Sequence, residues 1–168
     1  MNLYLLRHAK AHPRSPKWRP DSKRPLTREG ENIMFDVAKG IKALDVSFDA
    51  ILTSPYARAL RTAEILAEVY KSQKLFETAH LAPDAAVKEI LDELNENFGA
   101  AKEIVLVGHE PFLTRLISTL LTGQEGMTVE FKKAGFCKLT IEKVEFGKCA
   151  CLKWLLTPRQ LMRLGKHA

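Results

Sequence analysis

The stretch Glu103–Pro111, EIVLVGHEP, determines the fold class that this sequence predicts. Its first five residues, Glu103–Val107, are largely apolar, too few for a helix, and typical of a buried central strand. Gly108–Pro111 then turns the chain into a helix. The apolar positions of that helix recur at helical spacing: Leu113, Leu116, Ile117, Leu120 and Leu121. A buried strand running directly into a helix is the repeating unit of a parallel sheet.

The same unit occurs twice earlier in the chain. Asn2–Leu6 predicts a strand, followed by a proline-rich stretch that we expect to lack regular structure and by a helix that Thr27 caps. Ala50–Thr53 predicts a second strand, and Ser54-Pro55 is the predicted start of the next helix. A third helix, Val87–Phe98, precedes the EIVLV strand. This alternation predicts an α/β protein whose largely parallel sheet carries helices on both faces.

The C-terminal part has a different pattern. Two runs of alternating apolar and polar residues, 137–142 and 150–156, predict an antiparallel hairpin. Pro158–Leu164 predicts a short final helix. Because no linker, repeat or low-complexity tract divides the chain, we expect one domain over residues 1–168.

Composition excludes several classes of protein. The 168 residues are 46% apolar and 27% charged, which argues against disorder, and no uncharged stretch approaches the ~18 to 20 residues of a membrane span. The N-terminus lacks the features of a signal peptide. An odd number of cysteines without CxxC spacing (Cys137, Cys149 and Cys151) predicts reduced thiols rather than a disulfide framework or a zinc site. We therefore expect a cytoplasmic protein that does not bind membranes.

The net charge of +6 is concentrated in one segment. Lys10–Arg28 contains seven basic residues and one acidic residue, Asp21, so the other 149 residues are neutral overall. A basic chain raises the possibility of nucleic-acid binding, but the segment has only Trp18 as an aromatic residue for stacking on bases. We interpret this segment as a rim that attracts a phosphorylated or acidic partner, and we expect no nucleic-acid ligand.

Reactive side chains follow three of the predicted strands. Arg7-His8 follows the first, the SPxxR turn that ends in Arg58 follows the second, and His109 follows the EIVLV strand. Ligands of open α/β sheets bind at the carboxyl ends of the strands, so these residues should meet at one edge. Imidazoles and guanidiniums near helix N-termini are typical of a site for a multiply charged, tetrahedral anion.

Histidine at such a site favours catalysis over passive binding. Neutral His8 can attack phosphorus in line and form a phosphohistidine that water hydrolyses, while the surrounding cations hold the phosphoryl oxygens. This chemistry requires no metal and no other cofactor. Arg61, one helical turn after Arg58, is either an assisting cation or a surface charge. The remaining histidines are expected at the surface: His12, His80 and His167.

Other phosphate chemistries lack their sequence signatures. No GxxxxGK[ST] loop, GxGxxG turn or HExxH motif occurs. No cysteine is followed six residues later by arginine, as a cysteine-based phosphatase would need, and no DxD motif follows a strand. A P-loop enzyme, a dinucleotide-binding fold and a zinc hydrolase are therefore unsupported.

Three segments resemble the signatures of the histidine phosphatase superfamily, to which phosphoglycerate mutase belongs. They are LRHAKA at Leu6–Ala11, TSPYARALRTAE at Thr53–Glu64 and VGHEP at Val107–Pro111. RPLTREGE at Arg24–Glu31 and the terminal LKWLLTPRQL are similar to the compact SixA-type phosphohistidine phosphatases. The order of the motifs is specific, and the likeness covers nearly the whole chain.

This resemblance implies a fold and a function. The fold would be the three-layer α/β/α sandwich of phosphoglycerate mutase, with His8 as the nucleophile and Arg7, Arg58 and His109 forming the phosphate pocket. SixA-type members dephosphorylate a histidine of a phosphotransfer protein, so the implied partner is a histidine-containing phosphotransfer domain. Little more than one helix fits between the second and third motifs, which implies an open pocket.

The chain departs from the family pattern at three positions. Ala9 replaces the usual glycine of RHG, which would tolerate positive φ, and Arg61 stands where the family often has glutamine. The general acid of mutase-like relatives has only a weak counterpart in Asp84. Because imidazole leaves more easily than an alkoxide, a missing acid favours a phosphohistidine substrate.

Two alternatives remain open at this point. The first is a phosphomonoesterase that acts on a small phosphorylated metabolite. The second is a basic phosphate-binding module without catalysis. The sequence contains no information on the oligomeric state.

Overall fold

The computed structural model describes residues 1–71 and 74–166. The strands are β1 (Asn2–Arg7), β2 (Ala50–Thr53), β3 (Leu75–Glu77), β4 (Glu103–Gly108), β5 (Phe136–Ile141) and β6 (Ala150–Leu156). The α-helices are α1 (Arg28–Lys42), α2 (Ala57–Tyr70), α3 (Val87–Phe98), α4 (Phe112–Thr122) and α5 (Pro158–Leu164).

The strands form one sheet in the order β3-β2-β4-β1-β5-β6. The first four are parallel to one another, β5 is antiparallel to β1, and β6 is antiparallel to β5. This topology confirms the mostly parallel sheet and its C-terminal antiparallel hairpin. β4 follows β1 and β2 in sequence but lies between them, so it is the centre of the parallel part.

Helices cover both faces of the sheet. Alternate residues of the central strands, such as Leu5 and Leu106, pack against α3 and α4 on one face. Their neighbours, such as Leu6 and Val107, pack against α1, α2 and α5 on the other. Because these strands are buried on both sides, they are apolar at successive positions. The predicted three-layer α/β/α sandwich is confirmed.

The two predicted helix starts have different outcomes. Thr27 caps α1, since its Oγ1 accepts a hydrogen bond from the Gly30 N–H at 3.0 Å. The predicted start at Ser54-Pro55 is wrong, because α2 begins at Ala57 and its N-cap is Tyr56. Ser54 Oγ instead accepts from the Tyr56 N–H at 3.3 Å, which makes it part of the turn before the helix.

Two segments contain structure that the sequence did not predict. β3 is three residues long and lies at the edge of the sheet, too short to show a periodic pattern. The proline-rich stretch, expected to be irregular, contains two single-turn 3-10 helices, Pro16–Trp18 and Asp21–Lys23. Proline in the first of these turns supplies the φ that such a turn needs.

The structure also bears on two expectations from composition. Cys137 lies buried on β5, Cys151 is exposed on β6, Cys149 directly precedes β6, and all three are free thiols. Among the helices of residues 1–71 and 74–166, none combines the length and the apolar character needed to cross a membrane.

Candidate active site

The carboxyl ends of β1, β2 and β4 form one wall of an open cavity of about 1110 Å³. Arg7 on β1 pairs with Gly108 on β4, and the His8 N–H donates to the Gly108 carbonyl at 3.0 Å. The residues after these strands therefore emerge side by side. The cavity lining includes the four residues predicted from the sequence: Arg7, His8, Arg58 and His109.

His8 is held in one tautomer. Its side chain is buried, and Nδ1 lies 2.7 Å from the carbonyl oxygen of Ala9, which can only accept a hydrogen bond. Burial, opposed by that bond but reinforced by the charges of Arg58, Arg7 and Lys133, lowers the pKa of His8 to about 3. The ring is therefore neutral near pH 7 with its proton on Nδ1, and the lone pair lies on Nε2.

His109 lies beside His8, with 5.1 Å between the ring centroids. Its Nε2 is 2.9 Å from Ser54 Oγ, and burial lowers its pKa to about 2. Ser54 Oγ accepts from the Tyr56 N–H, and its hydroxyl can donate its own proton to Nε2. With Ser54 as the donor, His109 carries its proton on Nδ1, which is buried and unpaired among the described residues, and can donate it to an anion.

Arg58 is held by the basic segment. Its Nη1 donates to the main-chain oxygen of Asp21 at 3.0 Å and lies 3.1 Å from the Asp21 carboxylate. At its other end, the carbonyl of Arg58 accepts from Thr62 Oγ1, which in turn accepts from the Ala9 N–H. This arrangement fixes the guanidinium before any ligand binds.

Arg7 is fixed by the turn before β5. Its Nη1 donates to the Phe131 carbonyl, its N–H donates to the Gly135 carbonyl, and its own carbonyl accepts from the Ala134 N–H. The same turn brings the exposed Lys133 to the cavity lining. Sequence reasoning missed Lys133, because its position depends on the pairing of β5 with β1.

Four polar atoms of the residues lining this cavity are buried and lack a hydrogen-bond partner among the described residues. They are Arg7 Nε, Arg58 Nε, His109 Nδ1 and Glu110 Oε1. Buried polar atoms normally find partners, because leaving one unpaired costs about 1 to 3 kcal/mol. Three of the four atoms can donate a proton, as an anion ligand requires.

Glu110 is a second residue that sequence reasoning missed. It is half-buried in the cavity wall, and burial raises the pKa of its carboxyl group. Asp84, the acid suggested by the sequence, lines the same cavity but is exposed. The position of Glu110 directly after His109 was the available signal, but its burial could not be inferred.

The basic segment is partly neutralised in the folded protein. Asp21 forms ion pairs with Arg14, Arg24 and Arg58. Arg24 also donates to the His12 carbonyl, and only 12% of its side chain is exposed. Arg24 therefore holds the segment together. Its guanidinium is not part of a solvent-facing basic rim, so that interpretation does not apply to the whole segment.

Arg61, His80 and His12 have partners of their own. Arg61 forms ion pairs with Glu31, Glu64 and Glu68, outside the cavity lining. His80 Nδ1 lies 2.9 Å from Glu93 Oε2. His12 packs on Trp18 at the cavity wall, half-buried rather than fully exposed. The expectation for His167 falls outside the described residues.

The substitution of Ala9 for glycine does not strain the turn. Among the described residues, the non-glycine positions with positive φ are Asp45, Lys71 and Ala134, so Ala9 keeps an ordinary backbone conformation. Its side chain is fully buried among the residues between the sheet and α1 and α2. Alanine is therefore compatible with the site.

No group of three or more His, Cys, Asp or Glu side chains in residues 1–71 and 74–166 is arranged to hold a metal ion. The positive groups of the cavity lining are the side chains of its arginines and lysines.

Two histidines and two arginines lie together at the carboxyl edge of an α/β/α sheet, an arrangement suited to an enzyme that acts on phosphate groups. The sequence profile of the histidine phosphatase superfamily (branch 1) matches residues 3–82. An uncharacterized protein of Picosynechococcus sp. is 39% identical in an alignment of 143 positions that covers 83% of this chain and 84% of that protein. The chain belongs to the histidine phosphatase superfamily and is a phosphatase.

Solved structures have the same fold. The structure of the protein histidine phosphatase SixA complexed with tungstate matches with a TM-score of 0.82 at 21% identity, covering 96% of this chain and 99% of that one. A putative alpha-ribazole-5'-P phosphatase from Escherichia coli matches with a TM-score of 0.69 at 19% identity, covering 94% and 97%. At these identities the matches establish the fold alone. The names of the two proteins indicate different substrates, a protein histidine for the first and alpha-ribazole-5'-P for the second.

Proposed function

We propose that this phosphatase removes the phosphoryl group from a phosphorylated histidine of a phosphotransfer protein, with His8 as the nucleophile. The observation that carries the proposal is the Nδ1–H bond of His8 to Ala9, which leaves the Nε2 lone pair for attack beside Arg7, Arg58 and His109. The wide, open cavity supports access by a side chain on a protein surface.

In the first step His8 Nε2 attacks phosphorus as the phosphorus–nitrogen bond of the substrate breaks. Arg7, Arg58 and His109 Nδ1–H donate to the phosphoryl oxygens, and these donors are fixed before the substrate arrives. The leaving imidazole takes a proton from Glu110. The Ala9 carbonyl stabilises the positive charge that develops on the His8 ring.

In the second step water attacks phosphorus, and the bond to His8 Nε2 breaks. The Glu110 carboxylate, deprotonated in the first step, takes a proton from that water. Inorganic phosphate leaves, and both His8 and Glu110 return to their initial states. Protons, atoms and charge balance over the cycle without another reactant.

A small-metabolite phosphatase is the second candidate. Glu110 favours it, since an alkoxide leaving group needs a proton donor and this carboxyl group is half-buried in the cavity wall. The argument that a missing acid selects phosphohistidine is thereby weakened. The wide cavity and its basic surroundings remain the reasons to prefer a protein substrate.

A direct comparison of substrates tests the proposal. Purified protein would be given a phosphorylated histidine-containing phosphotransfer domain and, separately, sugar phosphates and nucleotides. We expect kcat/KM to be about 100-fold higher for the phosphoprotein, because contacts beyond the phosphoryl group contribute to transition-state binding. Selective turnover of a metabolite would contradict the proposal.

Glu110→Gln should separate substrates by their leaving groups. We expect phosphoenzyme formation to slow about 100-fold or more for alkyl phosphates and to change little for p-nitrophenyl phosphate, whose leaving group needs no proton. Hydrolysis of the phosphoenzyme, in which Glu110 takes a proton from water, should slow equally for both, so the two steps are measured separately. Glu110 must be protonated to act, so activity on alkyl phosphates should fall as pH rises through its raised pKa. That limb of the pH profile should be absent in the variant.

Asp84→Asn is the matched control, because Asp84 lines the same cavity from an exposed position. It should leave the alkyl phosphate rate and its pH profile close to those of the native protein. The reverse result, with Asp84→Asn affected and Glu110→Gln unaffected, would assign the acid to Asp84.

A further inference from the structure

A second cavity of about 630 Å³ adjoins the catalytic one. The two share Arg7, Lys10 and Lys133 in their linings, so a ligand can extend from one into the other. We call the second cavity the side groove. Its lining is Arg7, Lys10, Ile33, Lys132, Lys133, Ala134, Thr157, Pro158 and Arg159.

The side groove is built by elements far apart in sequence. Its lining comes from the end of β1 and the residues after it, from α1, from the turn before β5 and from the start of α5. That turn is anchored on β1, because the Ala134 N–H donates to the carbonyls of Arg7 and His8. The groove is thus fixed relative to the proposed nucleophile.

The charges of the side groove have one sign. Five of its nine lining residues are basic and none is acidic. Lys10 pairs with Glu29 and Lys132 with Glu130, but within the described chain Lys133 and Arg159 have no ion-pair partner. Ile33, Ala134 and Pro158 supply an apolar floor. An acidic ligand with some apolar surface matches this lining.

We propose that the side groove binds an acidic polypeptide segment of the substrate protein, next to its phosphorylated histidine. The inference rests on the proposed function and deepens it by naming the sequence character of the substrate. A segment carrying aspartate or glutamate would place its carboxylates beside Lys132, Lys133 and Arg159. The phosphoryl group would then enter the neighbouring cavity through the shared lining.

Three phosphohistidine peptides of equal length test this inference. Their flanking residues are acidic, neutral or basic, and kcat/KM is measured for each relative to p-nitrophenyl phosphate, which is too small to reach the groove. We expect the acidic peptide to be preferred over the basic one about tenfold at low salt, with the preference falling as salt is added.

The double variant Lys132→Glu/Arg159→Glu should lose or invert this preference. The control is Lys102→Glu/Lys143→Glu, which makes the same change of net charge near the opposite end of β4 and β5 and should keep the preference. Because both variants alter the net charge equally, a difference between their peptide preferences would be caused by the groove residues. Thermal melting would verify that both are folded.

Three results would overturn the inference. Equal kcat/KM for the three peptides, or equal effects of the two double variants, would show that the groove does not select acidic segments. Stronger inhibition of phosphopeptide turnover by a DNA oligonucleotide than by the acidic peptide without its phosphoryl group would assign the groove to nucleic acid. No turnover of any phosphohistidine peptide, with p-nitrophenyl phosphate still hydrolysed, would reject the protein substrate itself and this inference with it.

Discussion

His8→Ala is expected to lower phosphatase activity by about 10⁴-fold or more, as loss of a covalent nucleophile does in other enzymes. The reason is that Nε2 of His8 is the atom proposed to bond to phosphorus, whereas Nε2 of the neighbouring His109 is hydrogen-bonded to Ser54. Rapid acid quenching with labelled substrate should trap a phosphoenzyme in the native protein. The variant should yield none.

His12→Ala is the control for this substitution. His12 also lines the catalytic cavity, but it packs on Trp18 in the basic segment. Its removal should change activity only slightly and leave the trapped phosphoenzyme intact. If His8→Ala still formed a phosphoenzyme, another residue would have to be the nucleophile.

Arg58→Ala should be the second most damaging change, with an expected loss of about 10² to 10³-fold in kcat/KM. Asp21 holds this guanidinium through Nη1, which leaves Nε, buried and unpaired among the described residues, for the phosphoryl group. Arg58→Lys should recover little activity, because a single ammonium cannot bind Asp21 and phosphate in the same geometry. Steady-state kinetics with p-nitrophenyl phosphate measure both variants.

Arg61→Ala provides the comparison within the same helix. Arg61 lies one turn later, carries the same charge and forms ion pairs with three glutamates. Its loss should leave kcat/KM within about twofold, since Arg61 lies outside the cavity lining. Equal losses for Arg58→Ala and Arg61→Ala would mean that general positive charge, not a fixed donor, binds the phosphate.

The sequence predicted those residues whose position follows from a strand end. His8 and His109 come directly after β1 and β4, Arg58 lies in the first turn of the helix that follows β2, and parallel strands end at a common edge. The apolar runs of β1, β2 and β4 could be recognised because both of their faces are buried. Fold class and the main grouping of site residues could therefore be obtained without coordinates.

Residues placed by long-range packing could not be obtained in the same way. Lys133 reaches the cavity because the turn before β5 docks on β1. Asp21 contacts Arg58 because the proline-rich segment folds over α2. The number of charges in that segment does not indicate which residues they contact. Burial separates Glu110 from Asp84, and the two acids look alike in the sequence.

Because β4 lies between β1 and β2, the proposed active site forms only when distant parts of the chain are assembled into one sheet. The proposed nucleophile is residue 8, yet its neighbours in the cavity come from α2, from the end of β4 and from the turn before β5. A fragment ending at residue 82, where the family match stops, would lack His109 and the strand that joins the sheet. Catalysis thus depends on contacts between distant parts of the chain, and turnover serves as a sensitive gauge of whether the whole sheet is assembled.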